Sequence, residues 1–253
     1  MNVGLYQAAS ALDANSRWQE VIADNLASGS VPGFKQRQLS LESVQAGLMP
    51  ANNAKNLPQT FSIPQGVMTT NFTQGDMKYT GVNTDVAVDG KGFFEVQLPN
   101  GSTGLTRDGE FQVNSLGQLV TKEGYRVFGV GPGGTPQPID LDSNNSEPLS
   151  ISAAGEVNQG SEDRGQLLLT DVEKPQLLTQ ISGGYFLAQD AGAQLSPSNS
   201  TVRAEYLEGS NTSAVGEMAN LMTAMRGFEA NQHVIQIQDD RMSKTITELG
   251  NPS

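Results

Sequence analysis

Ser213-Ala214-Val215-Gly216-Glu217-Met218-Ala219-Asn220-Leu221-Met222-Thr223-Ala224-Met225-Arg226-Gly227-Phe228 opens the stretch on which the fold turns. From Ala214 the positions Ala214, Met218, Leu221, Met225, Phe228, Gln232, Ile235, Asp239, Met242, Ile246 and Leu249 alternate in spacing between four and three, and nine of the eleven are apolar. That repeat predicts an α-helix with one apolar seam. Ser210-Asn211-Thr212-Ser213 ahead of it offers short polar side chains suited to N-capping. Gly250-Asn251-Pro252 ends it. The helix would run about 36 residues, or roughly 54 Å. An apolar seven-residue repeat sustained that far predicts a left-handed coiled-coil partner. Gln232 and Asp239 lie on the seam, where polar groups cost stability and fix register.

The other end of the chain reads as a second helix. Before Gly29 the only glycine is Gly4, and no proline precedes Pro32. A stripe through Leu5, Ala8, Leu12, Asn15, Gln19, Ile22 and Leu26 predicts a helix from Val3 to Ala27, with Tyr6, Ala9, Ala11, Trp18 and Val21 at its flanks. Ser28-Gly29-Ser30-Val31-Pro32-Gly33 stops it, because two glycines and a proline cannot continue a helix.

Between the helices the pattern changes to short alternating runs and turn pairs. Asp85-Val86-Ala87-Val88-Asp89-Gly90 alternates and ends in a turn. Phe93-Phe94-Glu95-Val96-Gln97-Leu98 runs into Pro99-Asn100-Gly101, a hairpin signal. Leu105-Thr106-Arg107 meets Asp108-Gly109, Phe111-Gln112-Val113 meets Asn114 to Gly117, and Leu119-Val120-Thr121 turns at Glu123-Gly124 into Tyr125-Arg126-Val127-Phe128. Turns at this spacing predict an antiparallel sandwich or open barrel, not a βαβ sheet. Residues 35–80 and 130–200 are polar and rich in Pro and Gly, and carry only short apolar pieces.

Composition narrows the function. The chain has 253 residues, 15 Lys+Arg against 27 Asp+Glu for a net charge of −12, one His and no Cys. Without Cys there is no disulfide framework, thiolate metal site or cysteine nucleophile. One His argues against a His-ligated metal site and a serine triad. The acidic balance opposes nucleic acid and anionic lipid as main partners. No apolar run approaches the roughly 20 residues a bilayer helix needs, and the N-terminus lacks a cleavable signal pattern. The chain is thus expected to be cytosolic, or to leave the cell by a route that reads something else.

Each candidate for chemistry has a plainer account. Gly129-Val130-Gly131-Pro132-Gly133-Gly134 has the look of a phosphate loop, but Pro132 removes a donor and Thr135-Pro136-Gln137-Pro138 follows where a helix should begin. Gly90-Lys91-Gly92 lacks P-loop spacing and reads as a turn. Asp85 and Asp89 share a strand face roughly 13 Å apart, too far for paired glycosidase carboxylates. Asp239-Asp240 reads as a solvated helix face beside Arg241 and Lys244, and His233 as surface. Met218, Met222, Met225 and Met242 resemble a soft-metal or peptide groove in composition, yet their helical spacing with Leu221 and Phe228 reads as seam packing. The N-terminal helix would leave roughly 18 Å of the longer one uncovered. An apolar surface of that length is an interaction site, and the two ends are expected to order fully only against neighbouring molecules.

Asn25-Leu26-Ala27-Ser28-Gly29-Ser30-Val31-Pro32-Gly33-Phe34-Lys35 resembles the N-terminal signature of the bacterial flagellar rod and hook proteins. Asp85-Val86-Ala87-Val88-Asp89-Gly90-Lys91-Gly92-Phe93-Phe94 and Thr106-Arg107-Asp108-Gly109-Glu110-Phe111 are similar to their central motif. Leu207-Glu208-Gly209-Ser210-Asn211 and Met225-Arg226-Gly227-Phe228-Glu229-Ala230-Asn231 resemble their C-terminal signature. Val31, Gly29 and Phe228 depart mildly from that pattern. The resemblance implies an axial subunit of the flagellar basal body, exported unfolded by the flagellar type III export apparatus. Its terminal helices would line a tubular core while the β body faces outward. Gly75-Asp76-Met77-Lys78-Tyr79-Thr80-Gly81 is most similar to proximal-rod members of the family, with distal-rod members as the alternative.

The expected fold is therefore α+β: N- and C-terminal helices forming a coiled-coil-like domain, with a central antiparallel all-β body. Its expected parts are residues 1–34, a connector over 35–84, the β-rich body over 85–205, and the last helix over 206–253. The resemblance implies no enzyme activity, no cofactor, and partners among rod and hook proteins and copies of the chain itself. The expected assembly interface comprises Leu5, Leu12, Ile22, Asn25, Leu26, Gly33, Phe34, Met218, Leu221, Met225, Phe228, Ile235, Met242, Ile246 and Leu249. Two rival readings remain: a secreted β-domain ligand-binding module dimerised by its helices, and a cytosolic coiled-coil adaptor.

Overall fold

The computed structural model describes residues 3–49, 59–131, 135–142, 147–188, 194–198 and 200–250, with side chains for all of these except 3–5, 41, 45–49, 59–64, 182 and 248–250. Helix α1 spans Val3–Ala27 and α2 spans Ala214–Gly250. Between them the strands run β1 (Arg37–Met49), β2 (Gln59–Thr70), β3 (Met77–Tyr79), β4 (Val86–Asp89), β5 (Phe93–Gln97), β6 (Thr103–Thr106), β7 (Phe111–Val113), β8 (Leu119–Thr121) and β9 (Arg126–Val130). They continue as β10 (Pro136–Pro138), β11 (Leu149–Ile151), β12 (Glu156–Gln159), β13 (Glu162–Gln166), β14 (Leu169–Val172), β15 (Thr179–Gln180), β16 (Tyr185–Leu187), β17 (Leu195–Pro197), β18 (Thr201–Ala204) and β19 (Tyr206–Glu208). The protein is α+β, with a helix at each end and an antiparallel β region between them.

The chain divides into two compact units. One comprises α1, the β1–β2 region and α2. There α1 and α2 pack on each other, and α1 also packs on the β1–β2 hairpin. The α1 stripe is inward in part: Ala8 and Ile22 are buried, and Leu12, Asn15, Gln19 and Leu26 half-buried. Ala14, Val21 and Asn25 beside that stripe are buried too, so the covered face is broader than one seam. The hairpin was not legible in the polar run over 35–80. Its strands pair antiparallel from Arg37↔Thr70 to Met49↔Gln59, with a bulge between Gln45 and Gly47.

The other unit holds Ser28–Gln36 and Phe72–Thr212. Its main sheet runs β15-β16-β6-β5-β9-β8-β7, with β10 on β9, β14 on β5 and β17 on β14. All these pairs are antiparallel. The Pro99-Asn100-Gly101 signal closes the β5–β6 hairpin, where Gly101 takes φ +80 and Gln97 faces Thr103. Such a φ suits glycine at a tight turn. Successive β5 side chains point to opposite faces. Phe94 and Val96 thus enter a large core with Val86, Val88, Phe111, Leu119 and Val127. Phe93 enters a second cluster with Leu105, Val172, Leu178 and Phe186. Both faces of β5 are covered, so Phe93, Phe94, Glu95 and Val96 are all buried.

Candidate assembly interface

The turn after α1 is held by polar groups that the sequence places in three separate motifs. Asn25, buried at the end of α1, donates from Nδ2 to Arg37 O (2.8 Å) and accepts from Arg37 N at Oδ1 (2.9 Å). One amide thereby satisfies both backbone groups of the first β1 residue. Asp24 adds an ion pair to Arg37 at 3.0 Å. In the β-rich unit, the amide of Gly33 donates to Glu208 O (2.7 Å), and that of Gln36 to Asn211 Oδ1 (2.7 Å). Gly33 has φ +67, and a Cβ there would overlap the Arg107–Asp108 backbone. Phe34 is buried beside it.

Beneath this turn lies an ionic cluster. Lys35 Nζ sits 2.5 Å from Glu208 Oε1, and Arg107 Nη1 lies 3.1 Å from Glu208 Oε2. Lys35 also donates to Thr73 O (2.9 Å), Arg107 to Gly90 O (2.8 Å), and the amide of Gly75 to Glu208 Oε1 (2.9 Å). The Arg107 guanidinium lies over the Phe93 ring at 5.1 Å. Burial holds both cations below their ordinary range, while the Glu208 carboxylate opposes that. Nearby, burial pushes the Asp108 carboxyl up to about 7. Burial also raises the Tyr185 phenol, which donates to Glu123. Lys35, Arg107 and Glu208 each stand within a quoted motif, but nothing local marks them as partners.

On α2 the expected seam splits in two. Glu217 and Ala224 are buried, and Leu221, Gly227, Phe228, Asn231, Ile235 and Gln238 are half-buried. Leu221, Phe228 and Ile235 thus fall on the covered side. Met218, Met225, Met242 and Ile246 do not: they are 57, 51, 45 and 69% exposed. The covered stripe runs through Glu217, Ala224, Asn231 and Gln238, each one residue before an expected seam position. One residue is a turn of about 100° around the helix. Small residues account for the shift, since Ala224 has little bulk and a Cβ on Gly227 would lie 3.2 Å from Asn15 Nδ2 of α1. With Val215 and Met222, which are also exposed, Met218 and Met225 form an uncovered apolar face. From Asp239 to Thr247 every side chain is exposed, as an overhang of the longer helix requires. The side chains of Leu5 and Leu249 lie outside the described residues.

The other candidates resolve simply. Asp89 pairs with Arg203 at 2.7 Å. His233, Asp239, Asp240 and Lys91 are exposed. Pro132, Gly133 and Gly134, the centre of the phosphate-loop candidate, lie outside the described residues. Among the described residues no group of three His, Cys, Asp or Glu is placed to hold a metal, and no helix is long and apolar enough to cross a membrane.

Three family models match the chain in order. They are the flagella basal body rod protein over residues 5–35, the flagellar hook protein FlgE/F/G D1 domain over 87–159, and the flagellar basal body rod FlgEFG protein C-terminal region over 203–248. The flagellar basal-body rod protein FlgG of Buchnera aphidicola subsp. Baizongia pistaciae is 31% identical, across 95% of this chain and 97% of the relative. FlgG of Agrobacterium fabrum is 31% identical across 93% and 95%. The rod protein FlgF of Escherichia coli K12 is 29% identical across 96% and 97%. With relatives matched over nearly their whole length and the motifs in their expected order, this chain belongs to the flagellar basal-body rod protein family.

Proposed function

We propose that this chain is a structural subunit of the flagellar rod, assembling through its terminal helices into the tubular shaft that transmits torque in the basal body. The observation that carries the reading is the uncovered apolar face of α2 at Val215, Met218, Met222 and Met225. Apolar side chains grouped on one helix face mark an interaction site, and thioethers adapt to inequivalent neighbours. The neighbours are copies of this chain and other rod or hook proteins. Leu221, Phe228 and Ile235 hold the intramolecular half of the contact, while Met218, Met225, Met242 and Ile246 supply the intermolecular half in a coiled-coil-like core. Leu5, Leu12 and Leu26 extend the interface on α1, over the chain's own packing at the buried Ile22, and Asn25, Gly33 and Phe34 set the turn that returns the chain from the core.

A shaft needs repeated contacts and no bond-making residue, so the role is mechanical and not enzymatic. Export unfolded through the flagellar type III apparatus fits a chain without Cys to crosslink it. Similarity of Gly75–Gly81 to proximal-rod members favours the proximal segment. Relatives named FlgG and FlgF at comparable identity keep a distal position as the second reading. Electron microscopy of basal bodies from cells lacking this chain tests the proposal. A truncated shaft is expected, and a complete shaft in motile cells would overturn it.

A further inference from the structure

Glu208 has no exposed surface, and two cations distant in sequence depend on its carboxylate. Lys35 stands 173 residues before it and Arg107 101 residues before it. The side chains of Lys35 and Arg107 are 1 and 5% exposed, and Glu208 is the carboxylate with which each forms its ion pair. Arg107 Nε has no acceptor, so that guanidinium relies on Glu208 and Gly90 O for its hydrogen bonds. Two cations and one carboxylate leave a net charge of +1, and removing the carboxylate would leave both buried cations without their ion-pair partner, held only by the Thr73 and Gly90 carbonyls. Stripping the partner from a buried charge is among the most destabilising changes known, whereas replacing a whole network by apolar groups is often tolerated.

Chain order gives this asymmetry a direction. Synthesis runs from the N-terminus, so Lys35 and Arg107 emerge long before Glu208, whatever the chain's destination. The strands around Glu208 come late as well, with β18 completing β4 and β19 completing β3. We infer that Glu208 is a completion switch: the unit made of Ser28–Gln36 and Phe72–Thr212 closes only when β19 delivers this carboxylate between Lys35 and Arg107. A chain delivered N-terminus first is thereby kept open until nearly all of it has passed. The inference stands independently of the rod assignment, because it concerns one unit's own closure.

Hydrogen exchange on the full chain tests it. Glu208→Gln keeps the strand and the shape but removes the charge, and is expected to lower amide protection across β5–β9 by at least about a hundredfold. Lys35→Met leaves one cation facing one carboxylate, and is expected to stay within about tenfold of the unmodified chain. Should Glu208→Gln fail to fold, the triple change Lys35→Met, Arg107→Met, Glu208→Met is expected to restore an ordered sheet. Pulse labelling during refolding of the unmodified chain is expected to protect β5–β9 in the same phase as β19. Equal protection in Glu208→Gln, a triple variant no more ordered than it, or a sheet protected before β19 would each overturn the inference.

Discussion

Two regions of this molecule treat unlike side chains in opposite ways. Around Glu208 the chain buries Lys35 and Arg107 and matches them from within. Along α2 it leaves Val215, Met218, Met222 and Met225 in solvent, although their burial would be favourable. In the first region both buried cations reach a carboxylate of the same chain, and the backbone amides of Gly33 and Gln36 find acceptors there too. The second is not finished: its covered stripe is made of Ala224, Gly227, Asn231 and Gln238 as much as of Leu221 and Phe228. On the function proposed above, the body completes itself and the helix is completed by its neighbours.

The largest effect should come from breaking the helix half. Leu221→Asp or Phe228→Asp places a carboxylate on the half-buried stripe and is expected to abolish rods, with the thermal transition of the β-rich unit unchanged. A more selective break is Met218→Asp combined with Met225→Asp. Both side chains are exposed in the single chain, so its stability should move by no more than about 1 kcal/mol for the two changes together. Rods should nevertheless fail to form, as electron microscopy would record.

On the other side of the comparison, Gly33→Ala adds a Cβ at φ +67 against the Arg107–Asp108 backbone. Denaturant unfolding should find the β-rich unit weaker by more than about 4 kcal/mol. The Asp108 carboxyl supplies a pH test, since burial raises it from 3.8 to about 7 while Glu110, Glu123 and Lys122 surround it. A raised carboxyl binds its proton more tightly in the folded state, so its contribution is greatest at low pH. It is lost as pH rises from about 4 to about 7, by as much as ~4 kcal/mol. Asp108→Asn should flatten that part of the stability profile. The smallest change is Tyr185→Phe, which removes the hydroxyl donated to Glu123 and should cost roughly 1 kcal/mol.

Local signals carried the elements whose causes are local. Glycine and proline placement delimited α1 and α2, and Asn100-Gly101 closed β5–β6 where it should. The β1–β2 hairpin escaped notice because its apolar residues, Leu39, Leu41 and Val44 on β1 and Phe61, Ile63, Val67 and Met68 on β2, keep no steady two-residue alternation. The seam on α2 was half legible for a related reason. Periodicity identifies an apolar face, but the side that packs within the chain is chosen by how closely α1 can approach, and Ala224 and Gly227 decide that. The Lys35–Glu208–Arg107 cluster was beyond reach, because spacings of 173 and 101 residues leave no trace in any window.

Methionine oxidation by dilute peroxide, followed by mass spectrometry on the free chain and on intact rods, tests most directly whether the uncovered α2 face is the surface that assembly covers. Met218, Met222 and Met225 should oxidise quickly in the free chain and at least about tenfold more slowly in rods, as their thioethers become shielded. Equal rates in the two states would contradict the account.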